Sequence, residues 1–372
     1  VRVLLLSAYD ADSHKRWRRG LVAAIPEWQW TVLSLPPRYF SWRIRGNSLS
    51  WGRGETRDIL RQPWDLIVAT SMTDLTALRG LVPEIAPVPT AVYFHENQFD
   101  YPRSEAAVES IEPQLLNIYT ALGGDLVLFN SEYNRSTLLE GAAELLHRFP
   151  DHVPRGVCQE IADKSRVLPV PLEAAVFQPA TEKAAGPTFV WNHRWEYDKG
   201  PDILLAALRR FGREGIPFTL HVVGQQFRRQ PAEFAQIKKC LAKLGALGAW
   251  GYRENLDEYR QLLAASHGVI STARHDFQGL STLEAVAAGC EPLVPDSLAY
   301  PEWFGRGGWR CSDDVESCAA NLSAAMLRCA RRVLAGELPR VPDVSSLSWG
   351  SMGEEYRALL AQCGGLTVQS SP

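Results

Sequence analysis

Two stretches of the chain group charged residues around a glycine in a way that suits an anion. In Asn192-His193-Arg194-Trp195-Glu196-Tyr197-Asp198-Lys199-Gly200, Arg194 and Lys199 stand five residues apart in one turn. Both can reach one anion, and a diphosphate needs such a pair of cations. Glu196 and Asp198 lie between them, so a salt-bridged surface loop accounts for the same residues. The second stretch is His275-Asp276-Phe277-Gln278-Gly279-Leu280-Ser281-Thr282-Leu283-Glu284-Ala285. Gly279 permits close backbone approach. The amides of Leu280, Ser281 and Thr282 open a helix, where free N–H groups and the helix dipole favour phosphate. Glu284 can accept two hydroxyl hydrogen bonds from a ribose, and Asp276, on the loop before it, could face sugar hydroxyls. A capping pattern with Asp276 solvated and Glu284 paired to a lysine is the plainer account; it explains neither Gly279 nor the spacing.

Three further clusters are polar. His95-Glu96-Asn97-Gln98 follows an apolar run directly, where a satisfied polar turn is the alternative. Asn130-Ser131 could equally be a plain helix N-cap. Ser13-His14 is a lone histidine after the first apolar run, a weak signal.

These clusters need elements to hold them. Val1–Ser7, Trp30–Leu35, Asp65–Thr70, Thr90–Phe94 and Asp125–Phe129 read as strands. Helices are expected over about Ser13–Ile25, Asp74–Leu81 and Glu105–Leu122, and the arginine-rich stretch 36–62 as loop plus a short helix. Residues 171–187 carry four prolines with 169 and read as a linker. Strands then resume at Thr188–Asn192, Phe218–Val223, Gly268–Ser271 and Glu291–Val294, with helices at Pro201–Gly212, near 231–243, at Leu280–Ala288, Asp314–Leu334 and about Ser351–Cys363. Alternation of this kind gives two doubly wound α/β domains. We expect an N-terminal domain over 1–170, a linker over 171–187, a C-terminal domain over 188–345, and a helical tail over 346–372 packing back toward the N-terminal domain. Two such domains facing one another would form an interdomain cleft, with each cluster at a strand's carboxyl end.

The 372 residues suit two domains, and 46% hydrophobic with 22% charged residues is ordinary globular composition. No apolar run is long enough to span a membrane, and the opening run is too short for a signal-peptide core. Seven scattered cysteines without a CxxC pair point to reduced thiols and a cytoplasmic setting. Cys311 and Cys318 have no further ligand at metal-site spacing. GxGxxG after the first strand, GxxxxGK[ST] and GxSxG are all absent, which argues against dinucleotide dehydrogenases, P-loop NTPases and α/β-hydrolases. Asp10-Ala11-Asp12 is an Asp-x-Asp by chance, and the metal-independent reading is preferred. The net charge of -3 hides an asymmetry: residues 1–62 hold eleven Lys/Arg against five acids, with seven aromatics of Trp, Tyr and Phe from Trp17 on. That mixture suits a phosphate backbone with unstacked bases, or a solvated basic face over core tryptophans.

An acid, seven residues and a glutamate, Asp276 to Glu284, resembles the signature of retaining GT-B glycosyltransferases, which usually carry Glu at the first position. Read together, YFHENQFDYP (93–102), FNSEYN (129–134), WNHRWEYDKGP (191–201), WGY (250–252), STARHDF (271–277) and YPEWF (300–304) look like the tRNA-queuosine mannosyltransferase family over nearly the whole chain. The resemblance implies a GT-B fold of two Rossmann-like doubly wound domains and transfer of mannose from GDP-mannose to the cyclopentenediol of queuosine at the tRNA wobble position. It implies that Arg194 and Lys199 hold the diphosphate, with Gly279, Leu280, Ser281 and Thr282 helping. Glu284 would hold the ribose, and Asp276 with His275 would orient the mannose. His95, Glu96 and Asn97 would lie nearest the reacting hydroxyl, with Ser13, His14, Gln98 and Asn130 on the acceptor side. Ser13-His14 falls where many members have a glycine-rich loop, here Ala11 and Asp12. The basic segment, with Arg43, Arg45, Arg53 and Arg57, would bind tRNA. GDP-mannose is a co-substrate; no cofactor, metal, membrane or obligate protein partner is implied. The alternatives are a GT-B transferase with a lipid or small-molecule acceptor, a sugar-nucleotide epimerase, and a non-catalytic tRNA-binding module.

Overall fold

The computed structural model describes residues 1–101, 110–149, 151–178, 182–310, 312 and 314–366. The chain forms two compact units, Val1–Pro171 with Trp349–Pro372, and Leu172–Ser348.

The first unit is a six-stranded parallel sheet of β1 (Arg2–Ser7), β2 (Gln29–Ser34), β3 (Leu66–Thr70), β4 (Thr90–Phe94), β5 (Leu126–Phe129) and β6 (Ser165–Val167), in the order β2-β1-β3-β4-β5-β6. Leu4 pairs with Thr31 on one side and Ile67 on the other. β3 and β4 are buried along their whole length, as strands covered on both faces must be. The order reverses between β1 and β3, and ligands of such sheets bind at the carboxyl ends beside that point.

The stretch expected as loop plus short helix is instead a helix over Phe40–Gly52, followed by a turn over Arg57–Leu60. Its buried face is largely polar: Arg43, Asn47 and Ser48 lie inward with Ile44 and Trp51. Asn47 ties the helix to the loop after β3, donating to Met72 O and accepting from the Asp74 N–H. The expected helix over 105–122 is seen from Glu112 to Gly123, and 105–109 lie outside the described residues, as do Pro102 and Cys311. The C-terminal helix Trp349–Cys363 belongs to this unit. Trp349 lies over Gly20, where a Cβ would stand 2.2 Å from its ring. The Tyr356 hydroxyl, fully buried, accepts from Trp17 Nε1 at 3.1 Å and lies 2.9 Å from Pro169 O.

The second unit is a five-stranded parallel sheet of β7 (Thr188–Trp191), β8 (Thr219–Val223), β9 (Leu247–Gly251), β10 (Gly268–Ile270) and β11 (Glu291–Leu293), in the order β11-β10-β7-β8-β9. Here the reversal falls between β7 and β10, the two strands that precede Asn192–Gly200 and Ser271–Gly279. Residues 172–178 and 182–187, expected as linker, are built into this unit: Leu172 and Val176 are buried, and Lys183 Nζ donates to Ser266 O and Gly289 O.

Candidate functional site

In the second unit the loops after β7 and β10 are stitched together. Thr272 Oγ1 donates to Lys199 O at 2.6 Å, and the Arg274 N–H to Asp198 O at 2.8 Å. Gly200, at φ +60°, lies so close that a Cβ would stand 2.1 Å from Thr272 O. The side chain of Lys199 is buried in the seam. Its Nζ donates to His275 O at 2.6 Å and lies 3.4 Å from Asp198 Oδ2 and 3.6 Å from Asp276 Oδ2. Arg194 differs: it is 42% exposed and pairs with Glu196 Oε2 at 2.6 Å. The clamp residues read from the sequence are therefore one fixed cation and one accessible cation.

Asp276 closes the seam. Its Oδ1 accepts the Gly279 N–H at 2.8 Å, and its Oδ2 accepts from the Tyr300 hydroxyl at 3.2 Å. The carboxylate is engaged by Lys199, Gly279 and Tyr300, so it braces the loop rather than standing solvated. Burial pushes its pKa up, but the Lys199 charge foremost, and the Gly279 N–H, more than reverse this and leave it below the usual range. Burial, with Lys199 nearby, pushes the His193 imidazole down to about 4. His275 packs its ring edge-on to Phe277 and holds Nδ1 4.0 Å from Asp198 Oδ2. Burial raises the Glu196 pKa against the pull of Arg194.

Gly279, at φ +73°, starts the helix Leu280–Ala287, and a Cβ there would meet the Tyr300 ring at 2.6 Å. Leu280, Ser281 and Thr282 therefore supply the first amides, beside the sheet's reversal point. Glu284 is buried on this helix. Its Oε2 accepts from the Tyr259 hydroxyl at 3.4 Å, and Asn192 Nδ2 donates to that hydroxyl at 2.9 Å and to Ser281 O at 2.7 Å. The roles of Tyr259, Asn192 and Tyr300 have no signal in the spacing of charged residues. Tyr259 lies on a helix, Leu256–Ala265, that the apolar pattern does not mark.

In the first unit, β4 delivers His95 and Glu96, and the helix Asp12–Ala24 delivers Ser13 and His14. Ser13 is half-buried in the first turn. The His14 and His95 rings stack at 4.0 Å, and His14 Nε2 lies 3.5 Å from Glu96 Oε2. Trp17 meets His95 edge-on at 5.0 Å. Burial, with His14 beside it, holds His95 well below the usual imidazole range, and its Nε2 has no hydrogen-bond partner among the described residues. Glu96 is partly exposed.

Asn97 and Asn130 do different work from that expected. Asn97 Nδ2 donates to Asn134 and Thr137, and its Oδ1 accepts the Phe99 and Asp100 N–H groups. Asn130 donates to His95 O at 2.9 Å and accepts from Asn134. Both brace the loop that carries His95. Ser131, not Asn130, caps the next helix by accepting the Asn134 N–H. The Gln98 N–H donates to Asn117 Oδ1, with the side chain toward Met72.

The four arginines expected at an RNA surface are not alike. Arg43 is buried, its Nε donating to Pro36 O at 3.3 Å, because the helix Phe40–Gly52 turns it inward. Arg45 is exposed but lies 3.1 Å from Asp74 Oδ2. Arg53 and Arg57 are exposed. Asp10 of the Asp-x-Asp is buried and takes a two-pronged contact from Arg18, at 2.9 and 2.8 Å. Asp12 is solvated at the helix start.

Comparison with known proteins is consistent along the chain. Residues 2–172 match the family described as tRNA-queuosine alpha-mannosyltransferase N-terminal, and residues 186–328 match Glycosyl transferases group 1. A tRNA-queuosine alpha-mannosyltransferase of Drosophila melanogaster is 32% identical over 313 residues, covering 81% of each chain. Among solved structures, sucrose-phosphate synthase of Thermosynechococcus elongatus aligns with a TM-score of 0.64 at 15% identity, covering 97% of this chain and 99% of that one. A glycosyltransferase of Rickettsia africae aligns at 0.61 and 14% identity, covering 97% and 98%. At those identities the likeness speaks for the fold, which is that of the GT-B glycosyltransferases.

Proposed function

The chain belongs to the tRNA-queuosine alpha-mannosyltransferase family, and from that premise we propose that it moves mannose from GDP-mannose to the cyclopentenediol of queuosine in tRNA. It is a hexosyltransferase of GT-B fold. The observation that carries the donor side is the open helix start at Gly279, stitched to the loop that carries the accessible Arg194. Arg194 exchanges Glu196 for the donor diphosphate, and the amides of Leu280, Ser281 and Thr282 take further oxygens. Lys199 stays in its seam, where it holds the two loops together. Glu284, oriented by Tyr259 and Asn192, takes the ribose hydroxyls.

The transfer retains configuration at the anomeric carbon by a front-face route. The bond from that carbon to the diphosphate oxygen breaks as the bond to the acceptor oxygen forms on the same face. The acceptor proton passes to the departing phosphate, and GDP leaves. Glu96 positions the acceptor hydroxyl, and neutral His95 adds a buried polar atom beside it. Catalysis is then positioning and stabilisation of the leaving group's charge, with no carboxylate nucleophile, metal or cofactor.

The deciding experiment offers the protein several labelled nucleotide sugars with tRNA carrying queuosine or unmodified guanosine at the wobble position. Label should enter only the queuosine tRNA, most rapidly from GDP-mannose, with chelator present. Equal labelling of both tRNAs, or release of free sugar without acceptor, would reject the reading.

A further inference from the structure

The segment from Pro36 to Gly54 contains four arginines and no acidic residue. It also holds aromatic side chains that the fold leaves outside. Tyr39 is 72% exposed and adopts φ 56°, ψ 55°, a left-handed conformation that costs an aromatic L-residue and is uncommon outside functional or turn positions. Tyr39 is the turn residue that enters the helix, its carbonyl accepting the Trp42 and Arg43 N–H groups at 2.9 Å, and the turn leaves its ring outside the core. Three residues on, Trp42 is 52% exposed. Its indole lies over Gly46, where a Cβ would stand 2.3–2.6 Å from the ring atoms. A glycine inside a helix lowers its stability relative to alanine. The helix therefore accepts a weak position in order to lay an indole along its surface, at a site where no core is filled. Phe40, also exposed, stands edge-on to Tyr9 at 5.9 Å.

The charges around these rings select the partner. The Arg38 guanidinium sits 5.7 Å from the Tyr39 ring centre. Arg53 is exposed at the end of this stretch, and Arg57 is exposed three residues beyond it, between Glu55 and Asp58. Arg45 is exposed but paired with Asp74 and Glu112, and Arg43 is buried, so Arg38, Arg53 and Arg57 are the cations best placed to meet a phosphate. Exposed ring faces with interspersed arginines fit a polyanion whose bases are unpaired. A duplex hides its base faces, and its phosphates alone would need no aromatics.

We propose that Tyr39 and Trp42, three residues apart at the helix start, form a stacking platform for unpaired bases of the RNA acceptor, with Arg38, Arg53 and Arg57 contacting its phosphates. The proposal rests on the reading of tRNA as acceptor and specifies which feature of the RNA is held: single-stranded bases of a loop. The platform shares no residue with His95 and Glu96, the pair proposed to act at the reacting hydroxyl.

The test uses the full chain and three probes: queuosine tRNA, an oligoadenylate of about eight nucleotides, and a blunt RNA duplex with a similar number of phosphates. Trp42→Ala should weaken binding of tRNA and oligoadenylate about tenfold and leave the duplex unchanged. Trp42→Phe should keep most of the affinity. Gly46→Ala, whose Cβ displaces the indole, should act in the same direction as Trp42→Ala. Arg53→Ala should weaken all three probes. An unfolding transition and a circular dichroism spectrum matching the wild type show that the first unit, which carries every one of these residues, is folded in each variant. If the wild type binds and mannosylates tRNA and Trp42→Ala and Tyr39→Ala bind tRNA and oligoadenylate as well as it does, the platform is refuted and the acceptor reading stands. If the wild type binds neither RNA, both fall. If Trp42→Ala instead abolishes self-association or binding to anionic vesicles with RNA affinity intact, the surface serves another partner and the proposal is overturned.

Discussion

Lys199→Ala and Arg194→Ala should fail in different ways, although the sequence presents the two cations as one clamp. The Lys199 ammonium is the cation nearest to two largely buried carboxylates, Asp198 and Asp276, at 3.4 and 3.6 Å. Removing one partner of a buried pair costs about 3–5 kcal/mol, because the remaining charge is left uncompensated. For a unit of this size, about 2–4 °C per kcal/mol, the unfolding midpoint should fall by roughly 6–20 °C. Arg194 pairs at the surface with Glu196, and such pairs contribute about 0–1 kcal/mol. Its alanine variant should therefore melt nearly as the wild type does. It should lose a charge-assisted contact to the diphosphate, about 1.5–3 kcal/mol, or roughly 10–150-fold in GDP affinity. The assay is thermal unfolding without nucleotide beside calorimetric titration with GDP. A third protein, Lys199→Ala with Asp276→Asn, removes one carboxylate charge along with the cation, so it should recover at least about 1 kcal/mol relative to Lys199→Ala alone. If Lys199→Ala melts like the wild type, or if Arg194→Ala binds GDP undiminished, the division between fixed and accessible cation is wrong.

Glu96→Gln should lower kcat by about 100-fold while GDP affinity stays unchanged, since the carboxylate lies in the other unit and in the proposed mechanism positions the acceptor hydroxyl; an unaltered kcat in steady-state transfer assays would remove it from the reaction. The buried His193, held neutral with a pKa of about 4 against 6.5, binds its proton more weakly in the folded state. Its contribution to stability is complete above about pH 6.5 and is lost as pH falls from there toward 4, by about 3 kcal/mol in total. His193→Gln should flatten the denaturant-midpoint curve across that window, and an unchanged slope counts against the assignment. Arg53→Ala with Arg57→Ala should raise the KM for tRNA and reduce the log–log salt slope of binding by about one for each phosphate no longer neutralised. Arg43→Ala should leave that slope alone and lower stability instead, which unfolding and salt titrations on the same preparations separate.

The parallel sheets were legible because their strands are short apolar runs such as Leu66–Thr70 and Leu126–Phe129, each ending in a polar cluster. The helix Phe40–Gly52 was not, because it buries Arg43, Asn47 and Ser48, and no apolar stripe marks it. That omission turned Arg43 into an expected surface cation. The strand Leu247–Gly251 and the helix Leu256–Ala265 were missed for a related reason. One is glycine- and alanine-rich, and the other buries only Leu263 and Ala264. With them went Tyr259, which reaches Glu284. Within the candidate site, adjacency along the chain identified His95 with Glu96 and Asp276 with Gly279. The approach of His14 to Glu96 spans 82 residues and depends on sheet order, which no local spacing contains.

Asp276 illustrates how one residue can match a pattern for a reason the pattern does not state. An acid eight residues before Glu284 suggested a group facing sugar hydroxyls. In the fold, its short side chain reaches back to accept the Gly279 N–H three residues on, the local bond that aspartate makes readily. The same carboxylate meets Lys199 and the Tyr300 hydroxyl. Gly279 must take a positive φ and leave room for Tyr300, so the carboxylate, the glycine and the tyrosine specify one another. The result fixes the direction of the helix start and the position of a cation together. Two carboxylates around one lysine also leave the seam with a formal charge of -1. That seam would repel a diphosphate by itself, so in the proposed donor site the attraction comes from the helix start and from Arg194. On the proposed donor reading, the accessible cation, paired to Glu196, is the residue on which donor affinity should turn.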